Sequence, residues 1–219
     1  MRQARKELLV EGADDVFVLV ALFQEYHLPF AKRDKPEAGK ISIRDGEGVD
    51  SLKQRISIVL KPQDDDVVLQ QLGIIVDADT DLNARWQSLR DILRGSGYTD
   101  VPDEPDPDGT IIEQISRPRI GIWPMPNNRL PRMLEDFVRF LVPPNDQMWD
   151  LAVRTVDEIP QAERLFSNIH IQKAYIHTWL AWQKEPGKPM GQAITFKFLD
   201  AHVPEAQILM QWIKRLFDV

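Results

Sequence analysis

Acidic side chains follow two apolar segments of the chain, at the point where each segment would end as a buried strand. Glu11 comes directly after residues 8–10, Leu-Leu-Val, while Asp77 and Asp79 follow residues 73–76, Gly-Ile-Ile-Val. No lysine or arginine stands beside these acids. Like charges that are held close together are costly unless one is protonated or a cation bridges them. The two signatures therefore predict a divalent-metal site, with Mg²⁺ (or Mn²⁺) as the ion.

The spacing of the acids suggests a role for each. Side chains alternate along a strand, so Asp77 and Asp79 would share one side of an extended chain and could reach one ion. Mg²⁺ prefers oxygen ligands and keeps several waters, so two or three carboxylates suffice. Glu11 could complete that ligand set or act as a general acid or base. Asp15 could face the same metal from the first turn of a helix, or it could simply stabilise the start of that helix.

The predicted elements place both signatures in an α/β fold. Strands are predicted at 6–10, 40–45, 72–76 and 119–124, and helices at 16–26, 49–60, 82–93 and 130–141. Strands that alternate with helices in this way favour a mostly parallel central sheet flanked by helices on both faces. Ligands of such sheets bind outside the carboxyl ends of the strands, where the acids are expected.

The character of the sequence changes after residue 142. From 145 to 219 nearly every segment fits a helix, with breaks at Pro160, at 186–189 and at Pro204. We therefore expect an α/β domain over residues 1–142 and a helical C-terminal extension over residues 143–219. The extension is expected to pack on the core or to form the face of a homodimer.

The composition narrows the classes of function. The chain has 219 residues, a formal net charge of −7 and no cysteine. Without cysteine, structural disulfides and thiolate zinc sites are excluded. The negative charge argues against a protein that coats nucleic acid through its overall field. No apolar stretch reaches the roughly 18 residues that span a bilayer, so we expect no membrane contact. The lack of cysteine suggests a reducing cytoplasm as the location.

The two acidic signatures and their order resemble a Toprim domain. This metal-binding α/β module occurs in topoisomerases, bacterial primases, overcoming-lysogenization-defect (OLD) nucleases, recombination mediators and a ribosomal-RNA maturase. Residues 10–15, Val-Glu-Gly-x-x-Asp, are closest to the OLD-nuclease and maturase branch, and residues 134–136, Leu-Glu-Asp, resemble a segment that follows the fourth strand there. Segments within 173–194 resemble small stand-alone Toprim-like proteins of unassigned activity. The core resemblance covers roughly residues 5–141.

The resemblance implies a Toprim-like fold and a metal-dependent nuclease, or a related phosphodiester-cleaving enzyme that acts on DNA or RNA. It adds Glu135 as a ligand that would hold a second ion together with Asp15, although an acidic residue on a helix is commonly solvated. It also adds Lys173, because the related nucleases use a lysine to stabilise charge at the transition state. A plain helix-surface lysine is the alternative for that residue.

A non-catalytic Toprim module that binds nucleic acid or a protein partner is the alternative function. The acidic net charge favours it, and so does the lack of a Gly-x₄-Gly-Lys-Ser/Thr ATPase motif. The complete set of Glu plus Asp-x-Asp favours catalysis instead, because a scaffold has no need to crowd carboxylates together.

Overall fold

The computed structural model describes residues 3–31, 37, 39–61 and 67–219. Within these residues it contains a five-stranded, mostly parallel sheet flanked by helices, which confirms the predicted α/β class. The strands are β1 (Gln3–Val10), β2 (Ile41–Asp45), β3 (Val67–Asp77), β4 (Thr110–Ile112) and β5 (Arg119–Met125). The helices are α1 (Ala13–Glu25), α2 (Val49–Val59), α3 (Leu82–Gly95), α4 (Leu134–Phe140), α5 (Gln147–Asp157), α6 (Ile171–Ala181), α7 (Met190–Thr195) and α8 (Pro204–Phe217). Short 3₁₀ turns at Gln161–Glu163 and Asn168–His170 lie between α5 and α6.

The order of the strands across the sheet is β2-β1-β3-β5-β4. β1 pairs in parallel with β2 and β3, β3 pairs in parallel with β5, and the edge strand β4 is antiparallel. The chain winds from β1 to β2 in one direction and continues from β3 to β5 in the other. The winding therefore reverses between β1 and β3, and the crevice at such a switch point is where ligands bind in open α/β sheets.

Alternating side chains along the strands divide the core into two layers. In β1, Leu8 and Val10 face one layer, and Leu9 faces the other. Helix α1 and the helices from α4 onwards cover the first layer, while α2 and α3 cover the second. Central parallel strands that are buried on both faces read as continuous apolar runs, which explains why β1 and β3 could be recognised in the sequence.

Helix α8 lies directly on the sheet. Gly73 of β3 makes room for it, because a Cβ at this position would lie 3.1 Å from Cδ2 of Leu216 and 3.2 Å from Cζ of Phe217. Trp212 packs against Trp123 of β5, with ring centroids 5.5 Å apart. The helices after residue 142 therefore share one hydrophobic core with α1 and the sheet.

Two elements differ from the predicted bounds in ways that affect the site. Helix α4 begins at Leu134 rather than at residue 130, because Asp136 accepts a hydrogen bond from the backbone N–H of Met133 at 3.2 Å and fixes the first turn there. β3 begins at Val67, five residues before the predicted start. None of the helices in the described ranges is long and apolar enough to cross a membrane.

Candidate metal and active site

Glu11 and Asp77 meet across the switch point between β1 and β3. Oε2 of Glu11 accepts a hydrogen bond from the backbone N–H of Asp77 at 3.2 Å. Oδ1 of Asp77 accepts a hydrogen bond from the backbone N–H of Leu134 at 2.9 Å. The two side chains thus connect the carboxyl ends of β1 and β3 with the first residue of α4, and each retains a second carboxylate oxygen.

Asp15 stabilises the start of α1 and also faces the acidic site. Its Oδ2 accepts a hydrogen bond from the backbone N–H of Gly12, the residue that precedes α1, at 3.0 Å. The side chain is only 5% exposed, and Oδ1 is buried without a hydrogen-bond partner in the described part of the chain. A buried oxygen of this kind is costly, and a bound cation would satisfy it.

Glu135 and Lys173 form an ion pair at the edge of the same site. Glu135, in the first turn of α4, is 3% exposed, and its Oε1 lies 2.8 Å from Nζ of Lys173. The Lys173 side chain is 46% exposed, so it borders solvent while it contacts a buried carboxylate. Helix α6 packs on α4, and this places a residue of the predicted extension beside acids of the sheet domain.

Asp79 lies differently from the position that its spacing predicted. β3 ends at Asp77, and Asp79 has a left-handed backbone with φ of 52°, with its N–H donating to the carbonyl oxygen of Arg132 at 3.0 Å. Its carboxylate pairs with Arg85 of α3. The extended chain on which shared ligation by Asp77 and Asp79 depended therefore stops before Asp79. Its charge still raises the pKa values of Asp77 and Glu11.

The electrostatics show that the acids act on one another. Burial, followed by the charges of Asp15, Glu11, Glu135 and Asp79 in that order, raises the pKa of Asp77 to about 9. Burial likewise raises the pKa of Asp15 to about 7, with contributions from Glu11 and Glu135. The pKa of Glu11 is raised mainly by burial. The carboxyl groups of four residues therefore lie close enough for their charges to interact: Glu11, Asp15, Asp77 and Glu135.

A metal ion would have to draw these side chains together. Across the described ranges, no three histidine or acidic side chains are arranged to hold an ion as they stand. Glu11 and Asp77 each use one oxygen to accept a backbone hydrogen bond. The donor set nevertheless fits a hard divalent cation, because it consists of carboxylate oxygens and includes the buried, unpartnered Oδ1 of Asp15.

Two cations beside Glu11 were missed by reasoning from the sequence. The positive charges of Arg85 and Lys53 both lower the pKa of Glu11 against the larger effect of burial. Each residue lies about one turn into the helix that follows a strand of the sheet, Lys53 in α2 after β2 and Arg85 in α3 after β3. That position relative to a strand end is the signal that could have identified them.

The wild-type protein is expected to lose stability as the pH rises. An aspartate in the unfolded chain releases its proton near its ordinary pKa of 3.8, whereas folded Asp15 and Asp77 hold theirs up to about pH 7 and about pH 9. Between these limits the folded state binds more protons, so the free energy of unfolding falls with increasing pH. Thermal melts in EDTA between about pH 5 and about pH 9 measure this slope.

Addition of Mg²⁺ at the alkaline end should restore the lost stability. An ion that binds only the folded protein contributes about 2.7 kcal/mol at a concentration 100 times its Kd. Potassium chloride at equal ionic strength is the control for general screening. If the stability in EDTA rises with pH instead, the pKa values of Asp15 and Asp77 are not raised in the folded protein.

Comparison with known proteins adds a family but no function. Residues 5–218 match the family described as Protein of unknown function (DUF3226). No curated protein and no solved structure matches the chain. The family match extends over the sheet, the acidic site and the helices up to the end of α8. The chain therefore belongs to the DUF3226 family.

Proposed function

We propose that this chain is a nuclease, or a related phosphodiester-cleaving enzyme, that acts on nucleic acid and depends on Mg²⁺ or Mn²⁺. The observation that supports this most strongly is the meeting of Glu11, Asp15 and Asp77 at the switch point of the sheet, with raised pKa values. Burying like charges lowers stability, and strongly perturbed groups in a crevice are typical of functional sites. The resemblance of the same residues to the Toprim signature agrees with this proposal.

The acids would divide the binding of metal between them. Asp77 would hold the first ion, with Asp79 close enough to contribute charge, and Glu11 would either complete this ligand set or remain free to act as a general acid or base. Asp15 and Glu135 would serve a second ion if two are used. A bound ion supplies Lewis-acid polarisation of the scissile phosphate and neutralises charge that develops on it.

Glu11 and Lys173 would take part in the chemistry itself. The raised pKa of Glu11 favours the protonated form of this carboxyl group. When no ion is bound to it, that form can donate its proton to the leaving oxygen. Lys173 stays charged because the hydrogen bond that it donates to Glu135 raises its pKa. Its half-exposed ammonium group has further N–H donors that can stabilise negative charge on a phosphate at the transition state.

The second candidate is a non-catalytic Toprim-like module that binds a nucleic acid or a protein partner. Two observations favour it. Glu11 and Asp77 accept hydrogen bonds from backbone amides instead of forming a ready ligand set, and the net charge of −7 repels a polyanion. This candidate predicts metal or partner binding without turnover.

Cleavage assays with Lys173→Met distinguish the two candidates. We expect the wild type to cleave labelled DNA or RNA in Mn²⁺ or Mg²⁺. Lys173→Met should lower turnover by about 10²–10³-fold, because a charged donor at the phosphate is lost. Its metal affinity should be unchanged or higher, since a positive charge beside the ions is removed. A merely structural lysine would not separate turnover from metal affinity in this way.

Lys184→Met is the matched control, because Lys184 is an exposed lysine that follows α6, beyond the opposite end of that helix from Lys173. It should cleave like the wild type. Metal binding by the wild type with no cleavage of single-stranded or duplex DNA or RNA would support the non-catalytic candidate.

A further inference from the structure

A groove runs between α2 and α3 on the outer side of the second core layer. It contains two cavities of about 470 Å³ each. Ser57 of α2 and Ile92 of α3 line both cavities, so the two join into one groove. Neighbouring helices normally close such a gap with interdigitating side chains. Here Ser57, Ser88 and Ser96 face it instead, and their small side chains leave it open.

Positively charged side chains lie at both ends of the groove. Lys53 lies at one end, Lys61 and Arg117 lie at the other, and Asp91 is the one acidic residue among the described residues that line it. Asp91 is engaged by Gln87, whose Nε2 donates to its Oδ1 at 2.7 Å. Three cations against one acid in a chain of net charge −7 make this groove complementary to an anionic polymer.

Lys53 connects the groove to the acidic site. It lines the groove near the start of α2, and Gly48, the residue that precedes α2, donates its backbone N–H to the carbonyl oxygen of Glu11 at 2.9 Å. Arg85, near the start of α3, pairs with Asp79. A phosphate chain in the groove would therefore reach the carboxylates at the end marked by Lys53.

Arg117 is held in place at the far end. Its Nη1 donates to the carbonyl oxygen of Ser96 at 2.7 Å, and the guanidinium lies 5.4 Å from the centroid of the Tyr98 ring. Gly97, with φ of +88°, leaves room for it, because a Cβ at that position would collide with the guanidinium. A preorganised arginine of this kind is suited to binding a phosphate.

We propose that this groove binds the sugar–phosphate backbone of a single-stranded nucleic acid and leads it to the carboxylates. Helix α2 has 11 residues and is about 16 Å long, which is enough for a few nucleotides. The axes of packed helices lie about 8–10 Å apart, so the groove between α2 and α3 is too narrow to admit a duplex. The inference rests on the proposed function for the class of substrate, and it adds the path of the strand and the preference for single strands.

Fluorescence anisotropy in EDTA tests this binding separately from cleavage. The probe is a labelled oligonucleotide of about 16 nucleotides, as DNA and as RNA, with a duplex of equal length for comparison. We expect Lys53→Gln and Arg117→Gln each to weaken single-strand binding about tenfold at low salt. Each should also reduce the slope of log affinity against log salt by about 0.7, the value for one lost phosphate contact. Lys184→Gln should match the wild type.

Three results would overturn the inference. These are no binding of single strands by the wild type, equally tight binding of the duplex, and an unchanged affinity and salt slope in both groove variants. A wild type that binds single strands through Lys53 and Arg117 but never cleaves them would refute the proposed nuclease activity. It would still support the groove as a binding site for single-stranded nucleic acid.

A second test uses the lack of cysteine in the chain. Ser57→Cys introduces one thiol into the groove, and Ser51→Cys introduces one on an exposed part of the same helix. The bound oligonucleotide should slow maleimide labelling at position 57 and leave position 51 unaffected. Equal labelling rates at position 57 with and without the bound strand would place the strand elsewhere.

Discussion

Asp77→Asn is expected to abolish metal-dependent cleavage and to raise the melting temperature. The amide oxygen can still accept the hydrogen bond from Leu134, and the amide is neutral without taking up a proton. Because burial and neighbouring acids raise the pKa of Asp77 to about 9, the folded wild type must keep this group protonated at neutral pH. Removing that cost should stabilise the variant by on the order of a few kcal/mol at about pH 8. Each kcal/mol corresponds to about 2–4 °C for a chain of this size.

Melts in EDTA at about pH 5 and about pH 8 measure this gain, which should be smaller at the lower pH because less proton uptake is required. Turnover should fall by on the order of a thousandfold. Asp79→Asn is the matched control, because it breaks an ion pair with Arg85 and so should not stabilise the protein. An Asp77→Asn variant that melts below the wild type at both pH values would show that the buried carboxyl group of Asp77 does not lower the stability of the wild type.

Trp212→Ala is expected to lower the free energy of unfolding by about 3–5 kcal/mol. Trp212 is 0% exposed, packs against Trp123 and contacts Gly121 on the sheet. Its indole N–H also donates to the carbonyl oxygen of Thr110 at 3.2 Å, so the substitution leaves a cavity and an unpaired acceptor. Urea unfolding measures the loss.

The control for this substitution is Trp182→Ala at the end of α6, where the side chain is 37% exposed. It should cost less than about 1 kcal/mol. Equal losses in the two variants would contradict the packing of α8 on the sheet. A large loss at Trp212 alone would show that the C-terminal helices stabilise the sheet that carries the site.

The sequence could predict the strands that carry Glu11 and Asp77 because buried parallel strands read as unbroken apolar runs. It could also predict that both acids lie at carboxyl ends of strands. That the two ends are adjacent follows from the strand order, which a single sequence does not define. Of the two predicted roles for Asp15, the structure shows stabilisation of the helix start by one oxygen, whereas metal binding by the other stays a prediction.

Other features depend on tertiary contacts that leave no local pattern. Asp79 takes a left-handed backbone without being glycine, with its N–H donating to the carbonyl oxygen of Arg132, so the extended backbone assumed for Asp77 and Asp79 ends at Asp77. Lys173 reaches Glu135 only because α6 packs on α4, and the resemblance rather than any spacing pointed to it. β4 is three residues long, too short for a periodic signal.

Calorimetric titration of Mn²⁺ and Mg²⁺ into the wild type and Asp77→Asn tests the central claim most directly. Because Asp15 and Asp77 have raised pKa values, binding near about pH 7 should release protons, and the measured heat should depend on the ionisation enthalpy of the buffer. We predict binding by the wild type with proton release, and affinity at least about tenfold weaker in Asp77→Asn. No binding by the wild type, or identical titrations for the two proteins, would contradict a metal site at the junction of β1 and β3.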